Sequence, residues 1–181
     1  MADPIDIAFR EWQKKPFDPK YFIEGTGMPM SPDDYSVRAF RVEDGYSLDP
    51  KVLFDESLAK YGLVLQAEDK GKTIDCAVLG FNLVHSKRAA KGVYVLGGKR
   101  RYKQLTPVRW DFGLIGELRE FSTDACLDAV AFNASKAFSG LTPPQFEKLE
   151  RRYEENLKEH GFGYNSMMGS FLINLPKKKR H

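Results

Sequence analysis

Apolar residues recur at helical spacing at the beginning of the chain. Asp3 and Pro4 are typical of a helix start, as N-cap and first helical residue. The apolar residues that follow share one face of a helix: Ile5, Ala8, Phe9 and Trp12. The pattern predicts a short amphipathic helix over residues 3–14.

Residues 15–32 show no regular hydrophobic period. They contain four prolines and two glycines, which disfavour regular structure. They also contain large apolar residues such as Phe17, Phe22 and Met30, which are too many for a free linker. We therefore expect an irregular arm that packs on this chain or on a neighbouring copy.

The middle of the chain predicts several strands. Residues 35–42 are predicted to form the first strand, and the strands predicted over residues 62–68 and 73–84 flank a turn at EDKGKT. Residues 73–84 are apolar on both faces in their middle, which favours a central strand covered on both sides. A shorter strand over residues 92–98 ends at two glycines.

Two further patterns lie in this region. Asp49 and Pro50 predict a helix start, and Gly62 supplies its end. Apolar and polar positions alternate along the stretch VRWDFGLIGELRE. Period-two alternation of this length predicts a long half-buried strand over residues 108–119.

Helical spacing returns in the last third. One predicted helix begins near residues 122–124 and ends at Gly140. Its apolar stripe comprises Leu127, Val130, Ala131, Ala134 and Phe138. A second predicted helix begins with Thr142 as N-cap and ends at Gly161, and a short strand follows over residues 170–175.

This order of elements predicts an α+β fold. We expect a mostly antiparallel sheet of about five or six strands, packed by two C-terminal helices, with an N-terminal helix and an irregular arm containing Pro and Gly. The predicted division is an N-terminal helix and extended arm over residues 1–36, one α+β domain over residues 37–175, and a disordered basic tail over residues 176–181.

Length and composition indicate a globular intracellular protein. A chain of 181 residues with 42% hydrophobic residues fits one domain with arms. Asp3 and Asp6 interrupt the first residues where a signal peptide needs an apolar core, and no window is apolar enough for a membrane span. The two cysteines, Cys76 and Cys126, fit buried thiols in a reducing compartment. We expect no membrane partner.

The net charge of +3 is unevenly distributed. Residues 1–70 carry 9 basic and 14 acidic side chains, whereas residues 71–121 carry 10 basic and 4 acidic side chains. The middle third, with a net charge of +6, is therefore the electropositive part of the chain. This balance favours an anionic partner for that part.

One basic stretch accounts for most of this charge. Between His85 and Lys103 there are seven Lys or Arg residues and no acid. The sequence predicts two basic loops, HSKRAAKG and GGKRRYK, separated by a strand about 15 Å long. The predicted nucleic-acid-binding residues are Lys87, Arg88, Lys91, Lys99, Arg100, Arg101, Tyr102 and Lys103. The alternative is two solvated hairpin loops whose charge prevents edge pairing.

The chain ends on a second basic cluster that follows Pro176. It comprises Lys177, Lys178, Lys179 and Arg180. Such a cluster on an exposed segment is typical of a nuclear-import signal, a phosphate-binding tail or a solubilising terminus, and all three interpretations stay open. The first implies a nuclear location in a eukaryotic or viral protein.

No catalytic, metal-binding or cofactor-binding motif in the sequence has the residue spacing that it requires. The segment DKGKT lacks a phosphate-binding loop because Gln66 stands where the first glycine is required. The three histidines fall in unrelated predicted elements, and no two cysteines have the spacing of zinc ligands. We therefore expect no catalytic residues, no metal and no cofactor.

The sequence favours a non-enzymatic nucleic-acid-binding protein that contacts phosphates through the basic hairpin loops and the tail. The alternative is a self-assembling structural or interaction subunit, of viral or adaptor type, whose arm over residues 16–32 packs on a neighbouring copy to form a homo-oligomer. An enzyme whose site is assembled from distant residues is a third hypothesis.

Overall fold

The structure is a computed structural model. It describes residues 3–18, 32–48, 59–86, 89–100, 109–132, 163–165 and 170–175, and five helical positions between 144 and 158. The elements are α1 (Pro4–Glu11), β1 (Lys15–Pro16), β2 (Tyr35–Arg41), β3 (Tyr61–Asp69), β4 (Lys72–Ser86), β5 (Ala89–Arg100), α2 (Arg109–Asp124), β6 (Ala129–Phe132), β7 (Gly163–Asn165) and β8 (Ser170–Asn174).

The strands form one mixed sheet in the order β1-β2-β3-β4-β5-β6-β8-β7. Neighbours are antiparallel except β5 and β6, which run parallel and are connected through α2. Six of the strands have four or more residues, and β1 and β7 have two and three. The predicted α+β class is confirmed and the strand number agrees with it.

Local sequence signals explain the first helix and the first hairpin turn. The Asp3 side chain accepts a hydrogen bond from the backbone N–H of Ile5, and Pro4 opens α1 as predicted. Strands β3 and β4 are joined by Lys70 and Gly71, whose φ angles are 50° and 78°. Glycine adopts this left-handed region without strain, so the turn falls where EDKGKT predicted it.

The main core lies between one face of the sheet and the two helices. Phe121 of α2 packs edge-on against Phe9 and Trp12, with ring centroids 5.0 and 5.5 Å away. Its ring centroid is 5.9 Å from that of Phe81 on β4. These buried rings join α1, α2 and the sheet into one hydrophobic cluster.

A smaller cluster covers part of the opposite face. Phe40, Leu48, Val64 and Val78 are buried there, and Tyr46 packs beside them. Val64 and Val78 are therefore in the middle of a sheet that is covered on both sides. This agrees with the expectation that β4 is a central strand.

Gly62 permits close packing in this second cluster. A methyl group at this position would lie 2.7 Å from Cε1 of Phe40, whose ring is buried and stacks on Tyr46. We expect Gly62→Ala to lower the free energy of unfolding by about 1–3 kcal/mol because the ring must move. Urea denaturation measures this, and Phe40→Leu should reduce the penalty in the double variant. An unchanged midpoint for Gly62→Ala would contradict this packing.

The strand predicted over residues 108–119 is wrong. Residues 109–124 form helix α2 instead. Alternation holds only up to Leu114; from there Leu114, Leu118 and Phe121 recur at helical spacing and all three are fully buried. The period changes inside the stretch, and the helical part determines the structure.

The predicted helix that begins at residues 122–124 is also wrong over its first part. Those residues end α2, and Cys126 follows with a φ of 58°. Residues 129–132 then form strand β6, which pairs with β5 and β8. Leu127 and Val130 are buried as expected, but Val130 lies on a strand rather than on a helix stripe.

Of the other predicted helices and strands, some are confirmed and some lie outside the described residues. The first and last predicted strands correspond to β2 and β8. Gly62 lies inside β3 rather than ending a helix, and residues 49–58 lie outside the described residues. Exposed helical positions occur within the second predicted C-terminal helix: Pro144, Lys148, Arg151, Glu155 and Lys158.

Candidate functional site

Strands β4 and β5 form the longest hairpin in the described part of the chain. Their last pair is Ser86 with Ala89, which leaves two residues between the strands. Strand β3 pairs with β4 only as far as Phe81, and β6 begins its pairing with β5 at Gly92. The end of the hairpin therefore extends past both neighbouring strands; we call residues 82–91 the ribbon end.

The strand pairing near the ribbon end is irregular, and two of its described side chains are exposed. The pairing of β4 with β5 shifts between Gly80 and Phe81 and again between Val84 and His85, and such bulges increase local twist. Val84 is 48% exposed and His85 is exposed. Five residues of strand, from Asn82 to Ser86, extend about 16 Å. The end of β4 therefore places Val84 and His85 in solvent, whereas Leu83 still packs against the main core.

The basic residues lie mainly on or beside strand β5. Lys91, Lys99 and Arg100 belong to β5 itself, so they are strand residues and not loop residues as predicted. Lys87 and Arg88 occupy the two positions between β4 and β5, and their structure lies outside the described residues. The other predicted residues also lie outside it: Arg101, Tyr102, Lys103, Lys177, Lys178, Lys179 and Arg180.

The strand separates the basic residues into two groups. Lys91 is close to the ribbon end, whereas Lys99 pairs with Val78 towards the other end of β5. The two residues are eight positions apart along the strand, which corresponds to about 26 Å. Strand β5 (Ala89–Arg100) is longer than the predicted strand of about 15 Å, because it includes residues that were predicted to lie in the two loops.

A polar network lies on the sheet face that carries the smaller cluster. The Gln66 side-chain amide donates to the Tyr46 hydroxyl at 2.8 Å and to Oδ1 of Asp75 at 3.0 Å. The Tyr46 hydroxyl lies 3.4 Å from the same carboxylate oxygen. Burial, and then the Asp75 carboxylate, raises the pKa of Tyr46 to about 12. Tyr46 is therefore a neutral phenol at physiological pH.

An open cleft of about 540 Å³ lies between α1 and β2. We call it the arginine cleft because three arginines line it, together with two aspartates and Tyr46. The charged lining residues are Asp6, Arg10, Arg38, Arg41 and Asp44. Its volume is within the range of small-ligand sites.

Glu117 is a buried carboxyl group on α2. It is 3% exposed, and its Oε1 accepts a hydrogen bond of 3.2 Å from the backbone N–H of Asp18. Its Oε2 has no hydrogen-bond partner among the described residues. Burial, and then the charge of Glu120, raises the pKa of Glu117 to about 7. The first residues of the arm are thus attached to a carboxyl group that titrates near neutral pH.

The sequence alone did not indicate the arginine cleft or the buried position of Glu117. Arg38 and Arg41 belong to the strand segment YSVRAFR, but one sequence does not show that α1 lies beside that strand. Glu117 was placed on the polar face of a strand. The helical spacing of Leu114, Leu118 and Phe121 was the signal that would have placed it on a helix.

The described residues offer no metal centre and no membrane span. Within those residues, no group of three or more His, Cys, Asp or Glu side chains is placed to hold a metal ion. In the same part of the chain, no helix has the length and hydrophobicity needed to cross a bilayer.

Trp12 and Lys15 connect the beginning of the chain to the end of α2. The indole N–H of Trp12 donates to Oδ2 of Asp124 at 2.9 Å, and Nζ of Lys15 lies 3.4 Å from the same oxygen. These contacts hold the segment that leads into the arm against α2 of the same chain.

In comparisons with known proteins, the sequence matches no protein-family model and no curated protein.

Proposed function

We propose that the protein binds nucleic acid through the β4–β5 hairpin, by neutralising phosphates with little reading of sequence. The observation that carries this proposal is the ribbon end, which extends past β3 and β6 at the position of a basic cluster. A two-stranded ribbon fits the major groove of B-DNA, which is about 12 Å wide. A single strand lying along the ribbon is the other geometry that it permits.

The charge of the hairpin supports the proposal. After Asp75 there is no acidic residue until Asp111, so the ribbon end carries positive charge without a local counter-charge in the sequence. Lys87, Arg88 and Lys91 are its cations. Each contact that one of them makes with a phosphate releases a condensed counterion, which supplies affinity that falls with salt.

The second basic group is a further contact in this proposal. Lys99 and Arg100 end strand β5, and Arg101, Tyr102 and Lys103 follow in sequence. A separation of about 26 Å from Lys91 corresponds to several phosphates along a strand. The tail over residues 176–181 is a third contact or a nuclear-import signal; both stay predictions.

Binding of fluorescently labelled single-stranded and duplex oligonucleotides at about 50 mM salt tests the ribbon end. We expect the triple variant Lys87→Ala, Arg88→Ala, Lys91→Ala to weaken binding about tenfold or more because it removes three phosphate contacts. The matched control removes three exposed helical cations elsewhere: Lys148→Ala, Arg151→Ala, Lys158→Ala. Equal losses in both variants would mean that only net charge matters and would contradict a site on the ribbon.

Self-assembly through residues 16–32 is the second candidate. Phe17 is buried in this chain's own core, and its backbone N–H donates to the carbonyl oxygen of Tyr35 at 3.3 Å. The root of the arm therefore packs on its own subunit, and residues 19–31 lie outside the described residues. A discrete oligomer that persists in high salt without nucleic acid would favour this candidate over the first.

A further inference from the structure

The arginine cleft contains guanidinium groups that are held in place by aromatic rings. Cζ of Arg38 lies 4.5 Å from the centroid of the Tyr46 ring, and Cζ of Arg41 lies 4.5 Å from the centroid of the Phe9 ring. Stacking fixes the plane of a guanidinium and leaves its edge available to an oxyanion. Two of the three arginines are thus oriented before any ligand arrives.

The charges in the cleft are only partly paired. Arg41 forms an ion pair with Asp6, and Nε of Arg10 donates to the backbone carbonyl of Asp6 at 3.4 Å. Arg38 has no carboxylate partner in the described part of the chain, and its Nε is buried without a hydrogen-bond partner there. Asp44 also lines the cleft, so three arginines and two aspartates leave one excess positive charge.

We propose that the arginine cleft binds a phosphate group. A half-buried guanidinium without a counter-charge is unfavourable, and a bound anion would remove that penalty at Arg38. Arg38 supplies the main contact for the oxyanion, and Arg10, which also has no ion pair among the described residues, lines the same cleft. The proposal rests on the cleft alone and does not require the ribbon to bind nucleic acid.

The phosphate has two sources that the sheet geometry permits. Arg41 pairs with Tyr61, and Tyr61 pairs with Phe81, where the ribbon end begins. The cleft and the ribbon end are thus at the same end of the sheet, with β2 about 10 Å from β4. The proposal therefore includes two sources of the phosphate: a free phosphate ester, and a phosphate of a nucleic-acid chain bound at the ribbon end.

Titration calorimetry with inorganic phosphate, AMP and a 12-nucleotide single strand tests the proposal. We expect the wild type to bind AMP with a Kd of about 1 mM or lower. Arg38→Gln should weaken phosphate and AMP binding about tenfold or more, because it removes a charge-assisted contact. Arg151→Gln, at an exposed helical position outside the cleft, is the matched control and should bind as the wild type does.

The pattern across the three probes distinguishes the sources of the phosphate. A loss in Arg38→Gln for phosphate and AMP alone assigns a free phosphate ester, and a loss for all three probes assigns chain phosphates as well. If Arg38→Gln fails to fold by circular dichroism, the exposed Arg10→Gln replaces it, with an expected loss of about threefold. Absence of phosphate and AMP binding to the wild type, or unchanged binding in the cleft variants, would overturn the proposal.

Discussion

Replacement of Phe121 by alanine should lower the free energy of unfolding by about 3–5 kcal/mol, the largest effect of any single substitution considered. Phe121 is fully buried, and its ring contacts one aromatic ring on the sheet and two near the N-terminal end of the chain. Removing it leaves a cavity where α1, α2 and β4 meet. The loss combines the transfer free energy of the ring with the cost of that cavity.

Urea denaturation followed by tryptophan fluorescence measures this effect, because Trp12 lies against Phe121. Phe121→Leu is the matched control: it keeps most of the apolar volume and should cost clearly less than the alanine variant. A loss below about 1 kcal/mol for Phe121→Ala would contradict the packing of α1 and α2 on the sheet.

Glu117 should make the protein less stable as the pH rises through the range from about 4.5 to 7. Its ordinary pKa is 4.5, and burial raises the pKa to about 7 in the folded chain. Between these values the folded state binds more protons than the unfolded state, so the free energy of unfolding falls with pH. At about 1.4 kcal/mol per pKa unit, the full penalty above pH 7 is about 3 kcal/mol.

Glu117→Gln should remove this penalty because an amide does not ionise. We expect the variant to be more stable than the wild type at pH 8, by an amount approaching about 3 kcal/mol, and to differ little at pH 4.5. Urea denaturation at several pH values measures both proteins. Glu155→Gln, at an exposed helical position, is the control and should follow the wild type at every pH. A Glu117→Gln curve parallel to that of the wild type would contradict a raised pKa at Glu117.

The sequence predicted the elements that local signals specify. Asp3 and Pro4 determine where α1 begins, and the turn at Lys70 and Gly71 determines the register of β3 with β4. Both signals act within a few residues, so no tertiary information is needed. The apolar middle of residues 73–84 correctly indicated a strand covered on both faces.

The wrong predictions lie where strand and helix periodicity overlap, or where a strand pairs with residues far away in the sequence. Leu114 satisfies both the alternation that precedes it and the helical spacing that follows it, so the stretch fits two templates. Residues 129–132 became a strand because β5 and β8 provide pairing partners on either side. Such partners are far away in sequence, and a helix stripe of Leu127 and Val130 fits the same residues when they are considered alone.

Of the candidate sites, the basic stretch is visible in the sequence and the arginine cleft is not. Composition alone located the basic stretch, because seven cations without an acid are visible in one sequence. Its shape was not visible: the extent of the ribbon end depends on where β3 and β6 stop pairing. The arginine cleft depends on α1 lying beside β2, which places residues more than twenty positions apart next to each other.

The most direct test of the proposed function is the salt dependence of oligonucleotide binding, measured for the wild type and the ribbon triple variant at Lys87, Arg88 and Lys91. A site that neutralises phosphates predicts that log K falls linearly with log salt between about 50 and 200 mM. The variant should reduce the magnitude of that slope by about 2 to 3, because three counterions are no longer released. No binding by the wild type at low salt, or an unchanged slope in the variant, would contradict the proposal.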